Sequence, residues 1–180
     1  IIVDKVMKEN IKGEEFVFVP YVPPGRFQDA LNTLNYEWKN VSCIFAHQEF
    51  FGCKMGAIVS VEGDKWPLDY PNVISGHIHS RQSPQKNIYY SGSAMQHAFG
   101  ESEKNIIAFL TFKNKIYENE EIDLKLPRKK IIYMGIENID DFKIPDTEDK
   151  LKVTLKGNYE DFKSVKKTKK YKELLEKNIK

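Results

Sequence analysis

Apolar residues occur in short runs along the first part of the chain, and the length of these runs predicts strands. Residues 16–19, 41–46 and 73–75 are apolar and compact, which is typical of strands covered on both faces. Between the first two runs, a Pro-Pro-Gly turn precedes residues 27–34, where apolar residues recur at helical spacing. The pattern therefore predicts buried strands with a short helix between the first two.

The middle of the chain is rich in β-branched and aromatic residues, which favour strands. These runs predict an antiparallel hairpin array, and they span residues 87–90, 106–112, 116–126 and 131–136. A turn is predicted at Asn114-Lys115, between the second and third runs. This half of the chain is therefore expected to consist mainly of strands.

The last segment combines a predicted strand with a lysine-rich helix. Residues 151–155 alternate between apolar and polar positions, and Gly157-Asn158 predicts a turn. The apolar stripe of the following helix would consist of Tyr159, Phe162, Val165, Leu174 and Leu175. One strand and one helix bury little apolar surface by themselves, so we expect the first half of a small βαβ cap.

These elements predict an α/β chain of the α+β kind with a division near its C-terminal end. Residues 138–149 are acidic and polar around Pro145, which indicates a linker. We therefore predict one domain over residues 1–137, a linker over 138–149 and a partial capping domain over 150–180.

Charge is distributed unevenly along this division. From residue 151 onward, ten lysines against four acidic residues give this segment a charge of +6, although the whole chain carries only +2. Sequence-independent DNA affinity is dominated by cations that displace counterions from phosphates. Lys166, Lys167 and Lys170 are therefore candidate DNA contacts, and the alternative that they form an ordinary solvated helix face stays open.

Two segments place a histidine at the end of an apolar strand. The first is Ile44-Phe45-Ala46-His47, and the second is Ser75-Gly76-His77-Ile78-His79. Imidazole nitrogens are common ligands of zinc, manganese, iron and nickel. We predict that His47, His77 and His79 form part of a metal site at the ends of two adjacent strands.

The three histidines do not complete a hydrolytic metal site. Two-metal phosphoesterases hold their ions about 3.5 to 4 Å apart, and such a site needs anionic ligands as well as histidines. Here no histidine follows Asn, and none has Asp two positions before it. Asp64 and Asp69 lie between the histidine segments in what we interpret as a loop, and His97 is predicted to be packed or at the surface.

Residues beside the histidines suggest supporting roles. Gln48 and Ser80 are predicted to orient the imidazoles by hydrogen bonding, which metal-binding histidines generally require. Arg81 directly follows the second segment and is a candidate for stabilising charge on a phosphoryl group.

The two histidine segments resemble a known family. Ala46-His47-Gln48 followed by Gly76-His77-Ile78-His79 is similar to the last two signature motifs of the calcineurin-like metallophosphoesterases. Their flanks, residues 20–27, residues 90–96 and Phe99-Gly100-Glu101, resemble the SbcD branch. That branch contains DNA double-strand-break repair nucleases and the recombination endonuclease subunits of large bacteriophages. The resemblance implies the C-terminal part of a two-sheet metallophosphoesterase sandwich, followed by the cap.

The resemblance also assigns ligands. It implies that His47 and His77 bind one divalent ion and His79 a second, with Mn²⁺ expected and Zn²⁺ as the alternative. The first three family motifs, D-x-H, G-D-x-x-D and G-N-H-D, are absent. The chain opens on Ile1 and looks like the C-terminal portion of a longer polypeptide that carries the other ligands. We therefore expect this fragment alone to be inactive.

The function implied by the resemblance is that of a metal-dependent DNA nuclease subunit of an SbcCD-like repair or recombination complex. Its implied partners are DNA, an SbcC-type coiled-coil ATPase and a second copy of the chain. The chain has no apolar run of transmembrane length, so we expect no membrane partner. The expected location is the cytoplasm of a bacterial or phage-infected cell. Two alternatives stay open: a related phosphoesterase acting on small phosphate esters, and a noncatalytic DNA-binding module.

Overall fold

The computed structural model describes residues 2–179 as a mixed α/β chain, which confirms the predicted class. Its strands are β1 (Met7–Ile11), β2 (Glu14–Phe18), β3 (Cys43–Ala46), β4 (Lys54–Met55), β5 (Ile58–Val59), β6 (Val73–Ser75), β7 (Gln82–Gln85), β8 (Ile88–Tyr90), β9 (Ile107–Lys113), β10 (Ile116–Ile122), β11 (Lys129–Gly135) and β12 (Lys150–Lys156). Its α-helices are α1 (Phe27–Asn32), α2 (Tyr159–Val165) and α3 (Lys169–Glu176). Short 3-10 helices span Glu37–Asn40 and Ile136–Asn138.

The described residues divide into two compact units. The first contains the residues up to Ala94 together with Lys104–Leu124. The second contains Met95–Glu103 together with the residues from Lys125 onward. The domain and linker limits predicted from the sequence at residues 137 and 149 stay a prediction.

The first unit is built on a six-stranded sheet with the order β1-β2-β3-β6-β8-β7. The inner strands β2, β3, β6 and β8 run parallel, and β1 and β7 pair antiparallel at the two edges. The predicted strands at residues 16–19, 41–46 and 73–75 are therefore confirmed as β2, β3 and β6. Each is apolar on both sides because the sheet is covered on both faces. Residues 87–90 form a strand as predicted, but β8 pairs parallel with β6 inside this sheet, so its predicted place in an antiparallel array is wrong.

An aromatic cluster covers one face of this sheet. Its members are buried around α1 and the following 3-10 helix, and they are Phe27, Trp38, Phe50, Trp66 and Tyr90, with Tyr70 partly buried beside them. Trp38 and Trp66 lie with ring centroids 5.5 Å apart, and the Trp66 indole donates to the Pro71 carbonyl at 2.9 Å. The Trp66 loop therefore packs on its own unit.

The hairpin of β9 and β10 covers the opposite face. Phe112 of β9 meets Phe16 of β2 edge-on at 4.9 Å between ring centroids, and Tyr117 packs beside it. The predicted turn at Asn114-Lys115 is confirmed, since both residues have positive φ, as a two-residue hairpin turn of the I′ kind requires. The complete two-sheet sandwich of the family stays a prediction.

The second unit corrects two sequence predictions. The strand predicted at residues 131–136 belongs to β11, which pairs parallel with β12 rather than joining the antiparallel array. The chain between them crosses over before β12 begins, and a parallel partner is the result. Ile136, Ile139 and Leu151 form the centre of a separate core beside these strands.

The predicted lysine-rich helix is two helices. Thr168 accepts a hydrogen bond from the Tyr171 amide at 3.2 Å, so it caps a new helix and ends the preceding one. Val165 and Leu174 are buried as predicted, but Tyr159 and Leu175 are 72% and 54% exposed and lie outside the apolar stripe. The break after α2 changes the helical phase before Leu175, which a single periodic pattern did not anticipate, whereas Tyr159 is the first residue of α2. Among the described residues, no helix is long and apolar enough to span a membrane.

Tyr90 offers a test of the first unit's buried polar contacts. Its hydroxyl is fully buried, accepts from the Phe50 amide and donates to the Gln48 carbonyl, both at 2.9 Å. Burial raises the pKa of this phenol, so it stays a donor across the ordinary pH range. We predict that Tyr90→Phe lowers the free energy of unfolding by about 1–3 kcal/mol, because it leaves a buried amide unpaired. Urea unfolding measures this loss.

The matched control is Tyr36→Phe, which removes a hydroxyl from a ring that is 59% exposed. Surface changes of this kind usually stay within about 0.5 kcal/mol. Equal losses in the two variants would contradict the role assigned to the Tyr90 hydroxyl.

Candidate functional site

Two of the predicted ligands lie at the ends of neighbouring strands. β3 and β6 pair parallel, with Ala46 opposite Ser75, and the ladder continues as the Gly76 amide donates to the Ala46 carbonyl at 2.9 Å. His47 and His77 therefore follow adjacent carboxyl ends of one sheet, where α/β folds commonly bind ligands. The predicted adjacency of the two histidine segments is confirmed.

Gly76 allows the two imidazoles to approach each other. The ring centroids of His47 and His77 are 5.2 Å apart, and their planes are nearly perpendicular at 83°. A Cβ atom added at Gly76 would come within 2.7 Å of the His47 Nδ1 atom. Glycine is needed here for close packing of a side chain against the backbone, since any larger residue would displace the His47 ring.

His77 occupies a strained backbone conformation. Its φ is 73°, and the Ile78 amide donates to the Gly76 carbonyl at 2.9 Å across it. A three-residue hydrogen-bonded turn whose central residue has positive φ is the rare form of the γ-turn. Strain of this kind costs about 1–3 kcal/mol and concentrates at functional sites. The buried Ile78 side chain holds the turn on its C-terminal side.

The segment after His77 is held by the Ser91-Gly92-Ser93 motif. The His79 carbonyl accepts from the Ser93 amide at 3.0 Å. Gly92 has a φ of 74°, and a Cβ there would come within 2.7 Å of the His79 carbonyl oxygen and of the Arg81 amide. The flanking motif that carried the resemblance therefore has a local structural purpose.

The His47 imidazole is biased toward its neutral form. Partial burial lowers its pKa below the usual value, and the nearby charges of His77 and His79 lower it further. A neutral imidazole has the free lone pair that a metal ion requires. The imidazole nitrogens therefore suit part of a metal site. Among residues 2–179, no group of three or more His, Cys, Asp or Glu is arranged to hold an ion by itself. His47, His77 and His79 stay predicted ligands.

The Gln48 side chain joins two separate segments of the chain, at Val22 and at Asp64. It is fully buried, and its side-chain amide donates to Asp64 at 2.8 Å while its oxygen accepts from the Val22 amide at 3.4 Å. Asp64 also accepts from the Phe27 amide at 3.2 Å, so it takes part in a buried network. It lies outside the named strands and helices, in keeping with the predicted loop. The roles predicted for Gln48 and Ser80 in orienting imidazoles stay predictions.

Arg81 forms an ion pair. Its Nε donates to the Glu121 carboxylate at 2.5 Å, and its guanidinium lies over the Tyr89 ring at 5.7 Å. Lys104 shares the same carboxylate at 3.1 Å. The hydrogen bond to Glu121, together with the charge of that carboxylate, raises the pKa of Arg81. The predicted contact of Arg81 with a phosphoryl group stays a prediction.

The remaining candidates lie in the second unit. Lys166 and Lys167 are exposed beyond the end of α2, while Lys170 is half-buried and pairs with Glu173 at 2.9 Å. His97 is exposed, and its backbone amide donates to Glu101, in keeping with the surface position predicted for it.

Tyr21 is a site residue that sequence reasoning did not single out. Its ring stacks on His77 with centroids 5.7 Å apart and planes inclined by 25°, and it meets His47 edge-on at 6.5 Å. The tyrosine lies within the proline-rich flank before the first histidine, and that position was the only signal in the sequence.

No family model matches the chain. "Putative phosphoesterase 078R" of Invertebrate iridescent virus 3 is 52% identical over an aligned length of 180 residues, and the match covers 97% of this chain and 52% of that protein. "Putative phosphoesterase 244L" of Invertebrate iridescent virus 6 is 49% identical over an aligned length of 174 residues, and the match covers 93% of this chain and 62% of that protein. The chain thus spans just over half of the length of these relatives, and their names support a phosphoesterase family. Both are viral proteins, and neither comes from a bacterium or a phage.

The strain at His77 leads to a prediction about stability. Glycine adopts positive φ without the steric cost that a Cβ imposes. We predict that His77→Gly is more stable than His77→Ala by about 1 kcal/mol, although glycine normally destabilises a folded chain relative to alanine. Chemical unfolding of both variants measures the difference. A His77→Ala variant as stable as His77→Gly would contradict the strained turn.

Proposed function

We propose that the whole polypeptide is a metal-dependent nuclease that hydrolyses phosphodiester bonds in DNA. The observation that carries the proposal is the pairing of His47 with His77, enforced by the close approach at Gly76 and the strained turn at His77. Folds retain such strain where a side chain must be held in one place. The names of the two viral relatives are in keeping with phosphoester hydrolysis.

In this proposal the histidines provide neutral nitrogen ligands. His47 and His77 would hold one divalent ion and His79 a second, with Mn²⁺ favoured and Zn²⁺ as the alternative. When bound, such ions neutralise charge that develops on phosphoryl oxygens during hydrolysis. Arg81 would stabilise charge on a phosphoryl group. Acidic ligands would come from parts of the polypeptide outside this chain.

The proposal also includes the partners of this nuclease. DNA would contact Lys166, Lys167 and Lys170 through its phosphates, in a manner independent of sequence. An SbcC-type coiled-coil ATPase and a second copy of the chain complete the proposed repair or recombination complex, in the cytoplasm.

The second candidate is a phosphoesterase that acts on small phosphate esters. The relatives' names fit it equally, because they specify no substrate. Comparing turnover of DNA with turnover of p-nitrophenyl phosphate separates the two candidates.

The first test replaces the histidines one at a time in the whole polypeptide. We predict that His47→Ala, His77→Ala and His79→Ala each lower Mn²⁺-dependent DNA cleavage by at least about a hundred-fold, because each removes a ligand. His97→Ala is the matched control and should keep both activity and metal content. Cleavage assays and metal analysis by mass spectrometry provide the two measurements.

The isolated 180-residue chain should show no such cleavage, since it carries no acidic motif of the family. Cleavage by this chain that His77→Ala abolishes would show that the missing ligands are present in it after all. The ligand assignment would be overturned if His97→Ala lost activity while His47→Ala, His77→Ala and His79→Ala kept their metal.

The second test addresses the lysines. We predict that changing Lys166, Lys167 and Lys170 to Gln weakens DNA binding equally across sequences. The log-log dependence of affinity on salt should flatten by roughly 0.9 for each phosphate that these lysines no longer neutralise. Changing Lys113, Lys115 and Lys125 to Gln is the control that removes the same amount of charge. If the slope did not change when Lys166, Lys167 and Lys170 were replaced, these lysines would be solvated and would not contact DNA.

A further inference from the structure

An exposed aromatic ring beside the paired histidines has no part in the chemistry proposed above. Tyr21 is 51% exposed even though its ring stacks on His77. Stacking on His77 uses only part of the ring, and the rest is accessible to a ligand. An aromatic side chain left half in solvent next to a ligand site suggests recognition of a flat group.

A cavity opens beside this ring. Its volume is about 360 Å³, near the lower end of the range for small-molecule sites. Apart from Tyr21 and His47, its lining is apolar and includes Phe18, Pro20, Phe45 and Ala46. Phe18 and Phe45 are themselves stacked, with centroids 5.4 Å apart and planes inclined by 13°. The lining therefore favours an uncharged and largely apolar group, in contrast to the phosphate that the proposed function assigns to the histidines.

The backbone around Tyr21 is already fixed. Val19 donates to the Phe45 carbonyl at 2.9 Å, and Val22 donates to the buried Gln48 side chain at 3.4 Å. Pro20 restricts the backbone directly before the tyrosine. A side chain held in this way loses little conformational entropy when it binds a ligand.

We propose that Tyr21 and the adjoining cavity bind the nucleobase next to the phosphate that is hydrolysed. This inference rests on the proposed function, because the histidines supply the position of the phosphate. A base is flat, uncharged and apolar on its faces, and stacking on an aromatic side chain tolerates any base. The arrangement selects nucleotide phosphoesters over esters of small aliphatic alcohols.

The first experiment measures nucleoside binding to this chain without metal or phosphate. Saturation-transfer NMR with adenosine should give a signal on the base protons, and ribose alone should give none. Tyr21→Phe should keep the affinity for adenosine, whereas Tyr21→Ala and Tyr21→Leu should weaken it on the order of 5- to 100-fold. Tyr21→Leu keeps an apolar side chain without an aromatic ring, and Tyr36→Ala is the control at another exposed tyrosine.

Absence of adenosine binding to the unchanged chain would overturn the inference. So would equal affinity in Tyr21→Leu and Tyr21→Phe, or an equal loss in Tyr36→Ala. Far-ultraviolet circular dichroism of each variant confirms that the comparison is between folded proteins.

The second experiment uses the whole polypeptide and two diesters with the same leaving group. The kcat/KM for thymidine 5′-(p-nitrophenyl phosphate) should exceed that for methyl p-nitrophenyl phosphate, and Tyr21→Ala should lower this ratio by at least about five-fold. An unchanged ratio would overturn the base subsite alone. If neither diester is hydrolysed, the proposed function fails, and adenosine binding still decides the subsite independently.

Discussion

The candidate site depends on the parallel pairing of β3 with β6 and on the buried hydrogen bonds that continue it beyond the strands. The Ser75 hydroxyl accepts from the Gln48 amide at 2.8 Å and donates to the Gln48 carbonyl at 3.1 Å. The Tyr90 hydroxyl adds a bond to the same carbonyl from the next strand. Because all these groups are buried, breaking one hydrogen bond leaves a polar atom that has lost a partner and that water cannot reach. The turn that carries His47 is therefore fixed relative to the strand that precedes His77.

This fixation explains how the sheet supports an unfavourable conformation. The γ-turn at His77 is costly by itself, but Gly76 continues the ladder before it and Ile78 is buried directly after it. Both neighbours would lose their own interactions if His77 relaxed to negative φ. The strain is therefore local, and the packing of its neighbours maintains it.

Sequence patterns predicted much of the first unit because its strands are buried on both faces and their apolar runs are nearly continuous. Strands β1, β4, β5 and β7 were not anticipated, since they are short and rich in polar or exposed residues. Pairing was harder to predict than the strands themselves. Residues 131–136 form a strand as expected, but its partner is set by tertiary contacts in the second unit rather than by local periodicity. The histidine pair followed from two strand ends, whereas Tyr21 required the fold to bring a proline-rich loop alongside them.

The division of the chain into units has a consequence for synthesis on the ribosome. The chain leaves the first unit after Ala94 and returns to it at Lys104. Residues 95–103 are therefore made before the rest of the second unit, to which they belong. The Gln96 side chain accepts from the Lys129 amide at 2.6 Å, and the Lys129 ammonium donates to the Gln96 carbonyl at 2.9 Å. When Leu124 has left the ribosome exit tunnel, the first unit has all of its described strands, but Lys129, the partner of Gln96, is still inside the tunnel. The strands of the histidine-bearing sheet are therefore complete before residues 95–103 can pack against their partners from Lys129 onward.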